Sequence, residues 1–339
     1  MKVSILIPAY NEGKTIRRTI ESCLFQTRPA DEIIIVNDGS TDDTLQILQT
    51  FGERIIIVDL KKNTGNKSLA QEQGLPYITG DIFVATDADT LLHPNFIEEI
   101  LPNFNDPEVG AVAGYVKSLK NNWLTASREV DYAIGQEIYK TAQSFIGFIL
   151  IIPGCAAAFR TRIMKEEIRF DHDTVTEDLD FTYQLHELGH KIAFEKNAIS
   201  FTQDPPNISS YIRQMRRWYG GGFENLQKHF FVISKKPSAA FELSLSYADS
   251  LSTSILIFLL PLLNLSLFSK VFLVFVVPQA IIFCVFTAIH SGRPDILKHP
   301  FGYLVTRFIN SAILLDEFTR TIIFKQKQAT WLKSDRISI

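Results

Sequence analysis

Up to about Gly114 the chain alternates short apolar runs with segments whose apolar residues recur every three or four positions. Residues 3–7, 32–36, 55–58, 82–85 and 109–113 are rich in Val and Ile, which predicts buried strands. Residues 15–26, 42–51, 67–77 and 94–104 carry helical spacing. Strands alternating with helices predict an α/β domain: a parallel sheet with helices on both faces. Sheets of that kind hold ligands outside the carboxyl ends of their strands. Tyr10, Asp38 and Asp87-Ala88-Asp89 all fall just past predicted strand ends.

Further along, residues 122–148 predict a long helix, and residues 152–160 a further strand opened by Pro153-Gly154. Residues 176–188 read as a helix with Thr176 as N-cap and Gly189 as its stop. Residues 208–231 mix Arg213, Arg216, Arg217 and Lys228 with Tyr211, Trp218, Tyr219 and Phe223, the pattern of a helix lying among lipid headgroups. No charged residue appears between Asp249 and Lys270, or between Lys270 and Arg293. Each stretch reaches the ~20 residues that a helix needs to cross a bilayer. Buried core helices are the alternative, and Pro261 and Pro278 suit it, but two such runs back to back favour spanning. Lys228, Lys235 and Lys236 before the pair and Arg293 and Lys298 after it place both flanks on the cytoplasmic side, with Lys270 at a small outer turn. Residues 301–324 are apolar but cut by Arg307, Asp316-Glu317 and Arg320, so they predict an interfacial helix. The expected organisation is a cytoplasmic domain over residues 1–235 that includes the interfacial helix 208–231. Two transmembrane helices follow over 250–292, then an interfacial helix and cytoplasmic tail over 293–339. That makes a multi-pass protein of the cell membrane. A fragment ending near Lys236 is expected to fold alone, because the sheet buries its own core.

Composition narrows the partners. The 339 residues carry a net charge of −3, so no basic field announces nucleic acid. The 26 Phe against 10 Tyr and 3 Trp suit contact with lipid. Cys23, Cys155 and Cys284 are odd in number and outside any CxxC pattern; they read as reduced, buried thiols of a cytoplasmic domain. Residues 3–8 already form a strand run, so no signal peptide is expected ahead of the fold.

Four motifs carry chemistry, and each has an ordinary structural reading beside the functional one. In Pro8-Ala9-Tyr10-Asn11-Glu12 a tyrosine and a carboxylate suit a nucleobase, although a strand-ending turn explains them equally. Asp38-Gly39-Ser40-Thr41-Asp42 is an Asx-type turn into a helix, and a carboxylate at a strand tip also accepts the imide N–H of uracil. In Asp87-Ala88-Asp89 two carboxylates one residue apart repel unless a cation offsets them. Hard oxygen ligands beside a diphosphate suit Mg²⁺ or Mn²⁺. Lys67 suits a phosphate or a solvated helix start. Thr176-Glu177-Asp178 opens a helix, where acids are ordinary dipole partners, yet Asp178 also suits a general base. Gln214-Met215-Arg216-Arg217-Trp218 offers a cation for a leaving diphosphate and a flat face for a sugar ring, or simple anchoring at an interface.

In this order the motifs resemble those of family 2 inverting glycosyltransferases, in the branch containing the cellulose, chitin, hyaluronan and poly-N-acetylglucosamine synthases. The resemblance covers residues 1–235, and Thr330-Trp331-Leu332-Lys333-Ser334-Asp335-Arg336 is also similar to the C-termini of that branch. It implies a Rossmann-like, GT-A nucleotide-diphospho-sugar transferase domain followed by a C-terminal transmembrane helical region. By resemblance Asp178 is the catalytic base. Pro8, Tyr10, Glu12, Asp38, Lys67, Asp87 and Arg217 bind the nucleotide sugar, Asp38 reading uracil, and Asp87 and Asp89 hold the metal. Gly154, Glu177, Gln214 and Trp218 face the acceptor. The implied partners are a UDP-sugar carrying a hexose or N-acetylhexosamine, a saccharide or lipid-linked acceptor, and membrane lipids. Two departures stand out: no spanning segment precedes the main domain, and two spans cannot enclose a polymer channel. A polyprenyl-phosphate sugar synthase with a phosphate acceptor, or a non-catalytic nucleotide-binding membrane scaffold, are the alternatives. The sugar, the acceptor and the oligomeric state stay open.

Overall fold

The computed structural model describes residues 1–172 and 174–327; the C-terminal motif from Thr330 lies outside the described residues. In chain order the strands are β1 (Val3–Ala9), β2 (Glu32–Asn37), β3 (Ile56–Asp59), β4 (Ile82–Ala85), β5 (Thr90–Leu92), β6 (Val109–Ser118), β7 (Ala157–Arg160) and β8 (Lys191–Thr202). The helices are α1 (Ile16–Leu24), α2 (Thr44–Gln49), α3 (Lys67–Gly74), α4 (Phe96–Ile100), α5 (Trp123–Ile134), α6 (Thr141–Ile146), α7 (Thr161–Glu166), α8 (Glu177–Leu188), α9 (Ile208–Ile233), α10 (Pro237–Leu263), α11 (Leu265–Val271), α12 (Val277–Ser291) and α13 (Pro300–Phe318). Contacts divide the described chain into two compact units. One holds Met1–Val116 and Ser144–Gln203, the other Lys117–Gln143 and the chain from Asp204 onward.

The first unit is a mixed α/β sheet domain. Its strands follow the order β3-β2-β1-β4-β7-β6-β8-β5. The first four are parallel, as the alternating pattern predicts. The rest are not: β7 runs antiparallel to β4 and β6, and β5 antiparallel to β8. The expectation of a parallel sheet therefore holds for half of it. A parallel neighbour needs a crossover of about a dozen residues or more. β5 starts too soon after β4 to make one, so it pairs at the far edge.

Two more expectations change. The strand expected over residues 152–160 begins only at Ala157, because Pro153 has no N–H to give a ladder and its carbonyl instead closes a turn from Ala156 N at 3.0 Å. The strand β8 has no counterpart in the sequence pattern. Its adjacent Lys196 and Asn197 are both exposed, which breaks the alternation that would announce it. The core beneath the sheet joins Leu6, Ile34, Val36, Phe83 and Phe159 to Phe181 and Leu185 of α8.

Register explains where function collects. Ala9 pairs with Asn37, and Ala85 with Ala157. Because β7 runs the opposite way, the residues before it emerge at the same sheet edge as those after β1, β2 and β4. Thr86 Oγ1 donates to the Cys155 carbonyl at 3.1 Å across that edge.

The second unit is helical. Ala126, Val130 and Ile134 of α5 pack on Ala280, Cys284 and Ala288 of α12 and on Tyr303 of α13. Leu124, Tyr211, Met215 and Ile313 tie α5, α9 and α13 together. Among the described residues two helices, Pro237–Leu263 and Leu265–Ser291, are long and apolar enough to cross a membrane. The second includes a π-helical stretch, Phe272–Val276. The turn between them is at Asn264, whose side chain accepts from Leu267 N at 2.9 Å. Lys270, expected at that turn, instead lies inside the second helix, since the Asn264 cap starts the helix before it.

Candidate active site

Lys67 is the hub of the sheet edge. Asn66 caps α3 by accepting from Ser68 N, which fixes Lys67 in the first turn. Its ammonium meets Asp87 Oδ1 at 2.7 Å and Glu177 Oε1 at 2.9 Å. Burial disfavours that charge, but Asp87, Glu177 and Asp178 outweigh it and raise the Lys67 pKa well above its ordinary value.

Asp178 stands in the first turn of α8. Thr176 occupies the N-cap position there, without the side-chain bond expected of it. Asp178 Oδ1 accepts from Leu179 N at 2.9 Å and Oδ2 from Gly154 N at 3.3 Å. Burial, reinforced by repulsion from Glu177, raises its pKa to about 6, against the opposing pull of Lys67. A carboxylate poised there can take a proton near neutrality. Gly154 is a matter of space. A Cβ on it would lie 2.9 Å from Lys67 Nζ, so any larger residue would push the ammonium aside, and 3.5 Å from Asp178 Oδ2, an ordinary contact. Burial and the carboxylates of Asp87, Asp89 and Asp178 keep the Cys155 thiol protonated.

Asp38 lies after β2 and is 5% exposed. It accepts from Thr64 N and Thr64 Oγ1, both at 2.9 Å, and from Asn63 Nδ2 at 3.1 Å. A carboxylate offers roughly four lone-pair positions, so one further donor can still be accommodated. Burial raises its pKa despite the Thr64 bonds. Asn63 and Thr64 are the supports that sequence reasoning missed; the Asn-Thr-Gly-Asn run just before a helix was the available signal. Tyr10 follows β1, half-buried, and Pro8 pairs with Val36 inside the sheet. Glu12 is 6% exposed and accepts from Thr15 Oγ1 at 2.9 Å. It thereby closes the first turn before α1.

Asp87 and Asp89 follow β4, Asp87 a third exposed and Asp89 buried. Among the described residues no group of three or more His, Cys, Asp or Glu is arranged to hold a metal ion. A Mg²⁺ or Mn²⁺ that also binds diphosphate oxygens needs only one or two protein carboxylates. The pair fits that more modest role, as hard donors in an acidic cluster whose cation is Lys67.

The remaining motif lies on α9, in the helical unit. Trp218 packs beside Tyr211 and Met215, with the Arg128 guanidinium 4.9 Å from its ring centre. Arg128 is 4% exposed and also sits on the rings of Tyr132 and Tyr211, at 4.7 and 5.7 Å. One face of the indole is thus occupied by a cation that sequence reasoning overlooked. Arg216 pairs with Asp316 and Glu317, which ties α9 to α13. Arg217 and Gln214 are half-buried, and Gln214 Oε1 has no hydrogen-bond partner.

Residues 4–167 match the family model described as glycosyl transferase family 2. The chain carries a family 2 glycosyltransferase domain. Over 237 residues it is 31% identical to the poly-β-1,6-N-acetyl-D-glucosamine synthase of Staphylococcus aureus strain COL, a match taking in 69% of this chain. The same protein in strain MRSA252 matches to the same extent. The chain spans 57% of the length of these curated relatives. Among solved structures, mannosyltransferase PcManGT from Pyrobaculum calidifontis, in complex with GDP-Man and Mn²⁺, superposes with a TM-score of 0.69 at 21% identity, covering 96% of this chain and 88% of that one. S. aureus TarS 1–349 in complex with UDP-GlcNAc gives 0.59 at 18% identity, covering 95% and 92%. At these identities the structural likeness establishes the fold, which places the family 2 domain among GT-A-like folds.

Proposed function

We propose that this chain is a membrane-bound, metal-dependent, inverting glycosyltransferase that moves a sugar from UDP to a hydroxyl of a saccharide or lipid-linked acceptor. The observation that carries the reading is the half-buried Asp178, raised to about 6 beside the Lys67–Asp87–Glu177 ion pairs, at the sheet edge where ligands of such folds bind. Asp178 takes the proton of the acceptor hydroxyl as its oxygen attacks the anomeric carbon. The C–O bond to the diphosphate breaks on the opposite side, and the electron pair leaves with UDP. Gly154 N and Leu179 N hold the Asp178 carboxylate in place through that step. Asp38, supported by Asn63 and Thr64, receives the base with Tyr10 and Pro8 beside it, while Glu12 keeps the first loop in shape. Asp87 and Asp89 are the residues that would hold Mg²⁺ or Mn²⁺, which when bound supplies positive charge to the departing diphosphate. Lys67 and Arg217 add positive charge from the protein, and Gln214, Glu177 and Trp218 serve the acceptor.

The two apolar helices anchor the enzyme in the cell membrane with its catalytic domain cytoplasmic, as the Lys and Arg flanks suggest. The relatives' activity, synthesis of poly-β-1,6-N-acetyl-D-glucosamine, supports a polysaccharide or glycolipid product built from N-acetylhexosamine. The test is incubation of native membranes with a panel of nucleotide sugars, reading product mass. Wild-type chain should transfer from a UDP-sugar, and Asp178→Asn should lose at least ~100-fold. Full activity in Asp178→Asn would show that the acceptor needs no base, as a phosphate would not.

A further inference from the structure

The helix that carries Asp178 is stitched along one face to the segment that leads into β7. Asp178, Thr182 and His186 lie four residues apart on α8, so their side chains share that face. Each holds a backbone group of residues 149–154. Asp178 Oδ2 accepts from Gly154 N at 3.3 Å, Thr182 Oγ1 accepts from Ile152 N at 3.0 Å, and His186 Nε2 meets the Ile149 carbonyl at 2.8 Å. A carbonyl only accepts, so Nε2 is a protonated nitrogen of His186. The His186 ring also stacks on Phe148, with centres 4.3 Å apart. Helix and segment thus run in opposite directions, joined by a side chain at each turn.

The middle bond has consequences for Asp178. Thr182 is fully buried, and its hydroxyl is used twice: it accepts from Ile152 N and donates to the Asp178 carbonyl at 2.7 Å. One oxygen therefore fixes the backbone of Asp178 and the backbone two residues before Gly154. Pro153 stands between Ile152 and Gly154, and its ring locks φ. Its carbonyl closes the turn from Ala156 N at 3.0 Å, so little freedom is left between the Ile152 and Gly154 amides. The Gly154 N–H is thereby aimed at the Asp178 carboxylate. We propose that Thr182 is a positioning residue for the proton acceptor, setting the distance between the Asp178 carboxylate and the Gly154 N–H. This rests on the reading of Asp178 as the base, and adds to it the residue that keeps the base in its working geometry.

The test is sugar transfer in native membranes by Thr182→Val and Thr182→Ser, with UDP affinity and the pH profile measured alongside and Asp178→Asn as reference. Val fills the same volume and makes neither bond. It should lower kcat about tenfold or more, the scale of a misplaced reacting group, while UDP affinity is unchanged. An N–H bond favours the ionised carboxylate. Weakening it should move the acid limb of kcat/KM upward by about half to one pH unit, the worth of one hydrogen bond. Lys67 and Glu177, the charges that act on Asp178, are untouched by the change. Thr182→Ser keeps the hydroxyl and should restore both kcat and the limb. Wild-type kcat and limb in Thr182→Val, with Asp178→Asn inactive, would overturn the positioning role and leave the base standing. A fall in UDP affinity equal to that in kcat, or a loss that Ser does not repair, would show that Thr182 serves the fold, which also overturns it. Full activity in Asp178→Asn would remove the base and this role with it. Should Thr182→Val not fold, Pro153→Ala decides, because it frees the link between Ile152 and Gly154 without removing a hydrogen-bond donor. It should lower kcat and raise the limb in the same sense, and no change in either would overturn the proposal.

Discussion

Replacing Lys67 by Met removes the cation paired with Asp87 and Glu177 while keeping most of the side chain's volume. The geometry sets the size of the effect. A Cβ built on Gly154 lies within 2.9 Å of Lys67 Nζ and 3.5 Å of Asp178 Oδ2, which puts the ammonium within about 6 Å of the base. At that separation and an effective dielectric of ~20, the attraction is about 3 kcal/mol, or about two pH units. Asp178 is partly open to solvent, so about half of that is expected. The sign follows from the direction of the shift. Burial already raises Asp178 to about 6 with Lys67 in place, so the base is ionised above that pH and lost as pH falls through it. Without Lys67 the carboxylate is harder still to ionise. The acid limb of kcat/KM should move from near pH 6 to near pH 7 in Lys67→Met, and stay near 6 in Lys67→Arg. The assay is sugar transfer in native membranes between pH 4.5 and 9 at saturating Mn²⁺, with UDP affinity measured alongside. An active Lys67→Met enzyme whose limb is unmoved, or moves to lower pH, would refute the electrostatic coupling of Lys67 to the base.

Three further outcomes are expected. EDTA should abolish transfer and added Mn²⁺ restore it, and Asp89→Ala should weaken UDP binding; full activity in excess EDTA would remove the metal from the reading. Truncation after Lys236 should yield an aggregating fragment, because it strips Cys284, Tyr303 and Ile313 from the apolar faces of α5 and α9. This reverses the expectation from the sequence, and a monodisperse fragment by size-exclusion chromatography would reinstate it. Trp218→Ala should lower transfer by roughly 5- to 150-fold, the ~1–3 kcal/mol of a buried aromatic contact, with UDP affinity unchanged; loss of UDP binding would place Trp218 in the donor site or the fold.

Local pattern alone determined a good deal of this protein. The Val- and Ile-rich runs located β1 to β4 to within two residues at each end; β1, β2 and β4 are buried on both faces and so must be continuously apolar, while β3 is an exposed edge strand. The same alternation predicted the parallel half of the sheet and placed Asp38, Asp87 and Asp89 beyond its strand tips. The two uncharged stretches between Asp249 and Arg293 announced the apolar helices, since charge is what a hydrocarbon slab excludes. Their ends were less legible. Asn264, a polar residue inside an apolar run, turns the chain through a side-chain cap that no hydropathy pattern displays.

Tertiary structure decided what depends on residues far apart in sequence. The antiparallel half of the sheet follows from how chain segments return to it, and β8 carries no period because solvated residues interrupt it. Lys67 was legible as a cation near a phosphate; its role as the shared partner of Asp87 and Glu177 was not. That arrangement needs α3, the end of β4 and the start of α8 to converge, and only the packed sheet brings them together. The raised pKa of Asp178 has the same origin. Its neighbours in sequence make it a helix-start acid, whereas burial against the turn before β7, with Glu177 beside it and Lys67 opposing, raises its pKa to about 6 and suits it to take a proton. Thr182 and Arg128 were invisible for the corresponding reason: one meets the segment before β7 and the other a cage of rings, and neither neighbour is in place until distant segments pack.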